Sequence, residues 1–372
     1  MPGNLAALVL RGYRKVSSFN LNSLARNRGN NDGTANYGYV TNQGSNNISQ
    51  YLVSAYGSLA PMPTATIAAG TTPVFIAVSP SGKHAYVANQ GGNSISQYKI
   101  NADGSLQAIA APVAAGTSPV EIAIDPSGRY AYVANSSSND VSQYLIDDNG
   151  VLSALSPPTI ETGMIPVSVS VDPSGRYVYV VNNSSNSISQ YAITANGSLA
   201  ALSPASIAAG TGPRSIGVDP SGKYVYVVNR TSGNVSQYAI SPDGCLSTIS
   251  TPAAAAKHPI FIRIAPSGKY AYVTNQNSNS ISQYALTENG CLMPLTPATV
   301  ASAVTPVCIA LTHSGKYAYV TNIGSNNVSQ YVIGEQGGLM PIPMNSWGDA
   351  TVSAEMSPRC IMTASMNINA AK

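Results

Sequence analysis

The sequence predicts an all-β protein, a seven-bladed β-propeller, and three observations carry the prediction. An Ile/Val-Ser-Gln-Tyr phrase recurs seven times, with its glutamine at Gln50, Gln97, Gln143, Gln190, Gln237, Gln283 and Gln330, 46 or 47 residues apart. A second phrase, Tyr-Val-x-Asn, ends at Asn42, Asn89, Asn135, Asn182, Asn229, Asn275 and Asn322. Short apolar runs punctuated by Gly and Pro, of which the chain has 32 and 25, separate the phrases. A repeat in the forties built from several short strands is one propeller blade.

The unit from Pro119 shows the elements in order. Pro119–Ile124 reads as the first strand, ended by Asp125-Pro126-Ser127-Gly128, a turn in which Pro presets φ and Gly tolerates positive φ. Tyr130–Asn135 is the second strand, and Val141–Ile146, with the Ser-Gln-Tyr phrase, the third. An Asp148-Asn149-Gly150 turn then leads into a fourth strand that starts around Leu152. Four antiparallel strands joined by tight turns complete one blade.

The chain ends explain closure. The first repeat enters at Tyr37, already in its second strand, with no Pro-initiated run ahead of it. The missing run stands at the other end as Pro358–Thr363, so the C-terminal strand is expected to complete the N-terminal blade and leave no free sheet edge. Residues 36–372 are read as one propeller. Residues 1–35, rich in Asn, Arg and Ser, are read as a mobile arm outside it.

Composition narrows the partners. Charged residues make up 9% of the chain and the net charge is +3. The first 36 residues carry a surplus of four positive charges and the rest is one negative charge from neutral. The ring therefore has no electrostatic footprint for nucleic acid. No run reaches the roughly 18 apolar residues of a membrane span.

Residues present seven times are architecture. Of the 22 tyrosines, all but Tyr13 and Tyr56 fall in three repeating positions, where their rings are expected between blades with hydroxyls bonded locally. The repeated Gln is suited to bridge to backbone in the next blade and the repeated Asn to the turn after the second strand. Function is expected where the repeat breaks.

The Tyr-Val-Thr-Asn phrases at Tyr39–Asn42, Tyr272–Asn275 and Tyr319–Asn322, with the Asp/Ser-Pro-Ser-Gly-Lys/Arg turns, resemble the YVTN-type repeat propellers of the lactonase-like seven-bladed superfamily. The resemblance covers residues 36–366. It implies the propeller fold and places lactonases, surface-layer proteins and proteins of other roles among the relatives. Lactonase members carry Gly-Pro-Arg-His near the channel mouth and Asn-Glu after the second strand of that blade. This chain matches the anion-binding arginine at Arg214 but has Ser215 at the histidine position and Arg230 at the acid position. General acid–base work needs a titratable group within hydrogen-bond reach, so no catalytic residue is assigned from the motif.

No cofactor or metal is expected. The three histidines occupy repeat columns: His84 replaces a Tyr, His313 a turn Pro, and His258 precedes Pro259. None pairs with another at metal-ligand spacing. The cysteines fall in two columns, Cys245 with Cys291 and Cys308 with Cys360. Packed sheets lie about 10 Å apart, whereas a disulfide needs Cα atoms within about 7 Å. Free thiols are therefore expected unless the strands converge near the axis.

Two innermost-strand columns break the small-residue rule of a channel. Glu121 interrupts one and Arg263 the other, from blades about opposite each other, as a channel ion pair, as separately solvated charges, or as a polar ligand site. Arg214, His258 and Arg359 flank innermost-strand starts and Arg230 follows a second strand, positions that open on one face. Convergent positive groups there suit an anionic, carbohydrate-like ligand. The expected role is a non-catalytic binding or scaffold propeller, extracellular or on the cell surface, presenting its loop face and channel mouth to that ligand or to a protein. Two alternatives stand beside it. One is a lactonase-like hydrolase using Arg214 and Glu121; the other is a structural subunit that assembles through residues 1–35.

Overall fold

Alternating β-branched and aromatic residues bounded by Gly-containing turns make short strands here; in the Pro-Ser-Gly turns, for example, Gly128, Gly175 and Gly222 take a positive φ closed to most side chains. The computed structural model describes residues 34–342 and 350–367. It forms seven antiparallel sheets, each one blade. In blade 3 the strands run Pro119–Ile124, Tyr130–Asn135, Asp140–Ile146 and Leu152–Glu161, innermost to outermost. Blades 2 and 5 split the outermost strand into two short pieces, as at Leu246–Thr248 and Ala253–Ala254.

Ring closure follows the expectation. Strand Pro358–Asn367 pairs antiparallel with Thr34–Asn42, placing Tyr39 opposite Met362 and Val40 opposite Ile361. The first strand thus begins at Thr34. The arm expected over residues 1–35 lies outside the described residues up to residue 33.

The repeated side chains tie each blade to both neighbours. The Tyr39 hydroxyl donates to Gly104 O of the next blade at 2.6 Å, and Tyr132 does the same to Gly197 O at 2.7 Å. Gln143 donates to Pro157 O of its own blade while its Oε1 accepts from Leu199 N of the next, at 2.6 Å. Tyr144 reaches backward to Ala114 O at 2.6 Å. The same ties cross the seam: Gln330 accepts from Leu59 N, and Tyr319 donates to Gly57 O. Buried and fully paired, these polar groups give each junction a specific geometry as well as apolar contact.

One glycine column makes the junction possible. Gly197 has φ +85°, and a Cβ there would overlap the Tyr130 ring of the preceding blade. Gly197→Ala is expected to destabilise by about 1–3 kcal/mol, combining left-handed strain with displacement of that ring. A urea midpoint shifted clearly downward checks it, and an unchanged midpoint refutes it.

Each innermost pairing carries a β-bulge just after its proline. Asn135 faces Pro119 and Ala134 faces Glu121, leaving Val120 without an opposite residue. In blade 5 the residue so displaced is Arg214, between Pro213 and Ser215. In blade 1 the same irregularity falls between Pro358 and Ile361, where Arg359 stands. Bulges re-aim side chains. Here they turn this position into the mouth of the central channel.

Candidate active site at the channel mouth

A cavity of about 420 Å³ opens at that mouth, and the bulges supply its first tier. Val74, Val120, Val167, Ile260 and Val307 line it from five blades; Arg214 and Arg359 take the equivalent seats in the other two. Below them the next innermost-strand position contributes Phe75, Glu121, Phe261, Cys308 and Cys360. Above them the residue after the repeated Asn contributes Gln90, Ser136, Asn183, Arg230 and Gln276.

The electrostatics of this cavity are unlike the rest of the ring. Burial, then Arg359 and Arg230, pushes the Arg214 guanidinium down to about 10, while Glu121 pulls it back up. Burial also lowers Arg359. Arg230 is exposed at the outer tier and donates to Gln276 Oε1 at 3.4 Å. Burial drives the Glu121 carboxyl up to about 7, against the pull of the Ser168 hydroxyl, Arg263 and Arg214. A carboxyl poised near neutrality among guanidinium groups is the combination that active sites use. Chemically, the site can bind an anion and exchange a proton.

Arg263 lies deeper. It lines a second cavity of about 320 Å³ that shares Glu121, Phe75 and Phe261 with the first, so these three form the constriction between them. Arg263 Nη2 lies 3.2 Å from Met362 Sδ and its guanidinium stands 5.5 Å from the Phe261 ring centre. It acts on Glu121 through space, as Arg214 does from the other side. His258 stands apart: it is exposed, takes φ +52°, and its carbonyl accepts from Gln276 N. It lines neither cavity.

Of the six candidates read from sequence, Arg214, Arg230, Arg359 and Glu121 meet in the mouth cavity, with Arg263 one layer below. The polar rim of Gln90, Ser136, Asn183 and Gln276 was not anticipated. Its signal was present, since the position after the invariant Asn changes from blade to blade, as Gln43, Gln90, Ser136, Asn183, Arg230, Gln276 and Ile323.

Residues 34–346 match the family model for the lactonase seven-bladed β-propeller. The chain belongs to this family. Solved structures similar to it include a candidate 6-phosphogluconolactonase from Bacteroides fragilis, at 20% identity and TM-score 0.78, covering 90% of this chain and 99% of that one. A second such protein, from Bacteroides uniformis, has 23% identity, TM-score 0.77 and coverage of 89% and 99%. The periplasmic gluconolactonase PpgL of Pseudomonas aeruginosa has 21% identity, TM-score 0.75 and coverage of 89% and 99%. Among curated proteins no sequence matches. Family membership corrects the expectation of a non-catalytic scaffold, and the physical reason is visible in the cavity. Ser215 and Arg230 at the motif positions spoke against catalysis and left Glu121 to the alternative reading, but the Glu121 carboxyl shares one cavity with Arg214, from another blade.

Proposed function

We propose that this lactonase-family propeller hydrolyses an anionic sugar lactone at the channel mouth. The observation that carries the reading is Glu121, held near a pKa of about 7 in the same cavity as Arg214, Arg230 and Arg359. Membership of the lactonase family supports it. The arginines bind the substrate's negative group, and the rim of Gln90, Asn183 and Gln276 offers hydrogen bonds to sugar hydroxyls. Ionised Glu121 takes a proton from water as the water oxygen bonds to the lactone carbonyl carbon. Arg214, beside it, stabilises the oxyanion that forms. The ring C–O bond then breaks, the ring oxygen recovers the proton from Glu121, and the new carboxylic acid gives up its own proton to solvent and leaves as a carboxylate.

The test is proton release at fixed pH from 6-phosphogluconolactone and from its unphosphorylated counterpart, each corrected for spontaneous hydrolysis. The phosphorylated lactone is expected to be the better substrate. Arg214→Met is expected to lower kcat/KM by about 10–100-fold, the loss of one charge-assisted contact. The profile of kcat/KM should rise with pH through about 7, as Glu121 ionises, and fall again toward about 10, as Arg214 loses its proton. Folded protein that accelerates neither lactone above background refutes the proposal.

A further inference from the structure

The innermost-strand column that holds Ser168, Ser215, Cys308 and Cys360 points sideways around the ring. Ser168 Oγ accepts from Ile216 N of the next blade at 3.1 Å, and Ser215 Oγ accepts from Ile262 N at 3.3 Å. Cys308 points the same way around the ring but meets a carbonyl instead of an N–H. Its Sγ reaches toward Ile361 O at 3.8 Å and lies 3.0 Å from Cys360 Sγ. The roughly 10 Å spacing of stacked sheets, from which separate thiols were expected, does not hold near the axis, where the innermost strands converge. Both cysteines are free thiols, buried against protein yet lining the mouth cavity.

We propose that Cys308 and Cys360 are a disulfide-forming pair, a covalent clasp between blade 7 and the strand that closes the ring. An S–S bond of about 2.05 Å asks the two sulfurs to approach by about 1 Å from where they stand. With a peroxide as oxidant, one thiolate attacks the O–O bond and becomes a sulfenic acid, releasing water after protonation. The second sulfur displaces the hydroxyl as another water, so two electrons and two hydrogens pass from the thiols to the peroxide. Burial holds the Cys360 thiol well above the usual cysteine range, so thiolate is scarce and the bond forms slowly. The pair thus suits lasting cross-linking rather than rapid sensing. Closing the loop between residues 308 and 360 removes freedom from the unfolded chain and tethers a terminal strand otherwise held by hydrogen bonds and packing.

The test oxidises the full chain with hydrogen peroxide and counts thiols after denaturation, maps peptides without reductant, and follows thermal melting. Expected are two thiols in place of the four in the sequence, a linked peptide pair containing Cys308 and Cys360, and melting several degrees higher, reversed by dithiothreitol. Cys245→Ser with Cys291→Ser should keep the shift, whereas Cys308→Ser or Cys360→Ser should abolish it. Serine already fills this column at Ser168 and Ser215, so these variants retain the fold. Four thiols surviving oxidation, a link through other cysteines, or a link without higher melting overturns the clasp.

Discussion

Removal of residues 357–372 is expected to give a chain that aggregates, or that melts far below the parent. The strand Pro358–Asn367 is hydrogen-bonded to Thr34–Asn42 along nearly its whole length, so its loss bares a sheet edge. It also uncovers buried Tyr39 and Val40 and removes buried Cys360, Ile361 and Ala364. Contacts to blade 7 go with it, including the Thr363 hydroxyl on Leu311 O at 2.8 Å and the Thr321 hydroxyl on Arg359 O at 3.0 Å. Each large apolar side chain returned to water costs about 1.5–3 kcal/mol, against a total stability of about 5–15 kcal/mol. A few such losses exhaust the margin. Size-exclusion chromatography with thermal melting checks this, and a monomeric truncation with unchanged melting would show that the ring closes without this strand.

Glu121→Gln is expected to reduce lactone turnover by about 10²–10⁴-fold with little change in substrate affinity. Glutamine keeps the shape and hydrogen-bonding capacity of the side chain but cannot take a proton from water. The rising limb of the pH profile near 7 should vanish with it, because that limb is the ionisation of this group. Stability should move the other way. The folded pKa lies above the unfolded one, so ionised Glu121 works against folding. The stability this group contributes is complete below the ordinary carboxylate range and is lost as pH rises toward about 7. Glu121→Gln should therefore be at least as stable as the parent at pH 8 by urea titration. Full activity with the rising limb intact would assign the base elsewhere.

Much of the fold was legible in the chain because the repeat writes each structural instruction seven times. The Gln column announced inter-blade bridges, the Tyr columns announced rings packed between blades, and the displaced Pro358–Thr363 run announced closure. The site was legible in part. Arg214, Arg359 and Arg230 could be placed on one face from loop type alone. The bulge that turns Arg214 and Arg359 into the mouth is a matter of pairing register, which single residues do not signal. Glu121 was visible as an irregularity, but its raised pKa depends on burial at a constriction shared with Phe75 and Phe261. His258 was placed on that face by its loop, but it stands exposed and lines neither cavity. The two neighbouring thiols were obscured by an average sheet spacing that fails near the axis.

The bulge has an evolutionary consequence. It provides seven equivalent seats facing one chamber, each on a different blade, while the bonds joining the blades are made by Gln, Tyr and Gly residues elsewhere. Five of the seats hold Val or Ile and two hold Arg, and the same backbone accepts both. Selection can therefore exchange one seat at a time with little effect on folding, and each exchange presents a new group to the chamber from a new direction. A charged group absent from one blade can be supplied from another, as the Glu121 carboxyl illustrates one position farther along its strand. Such a ring diversifies its chemistry by rotation, so that related proteins can hold comparable groups on different blades.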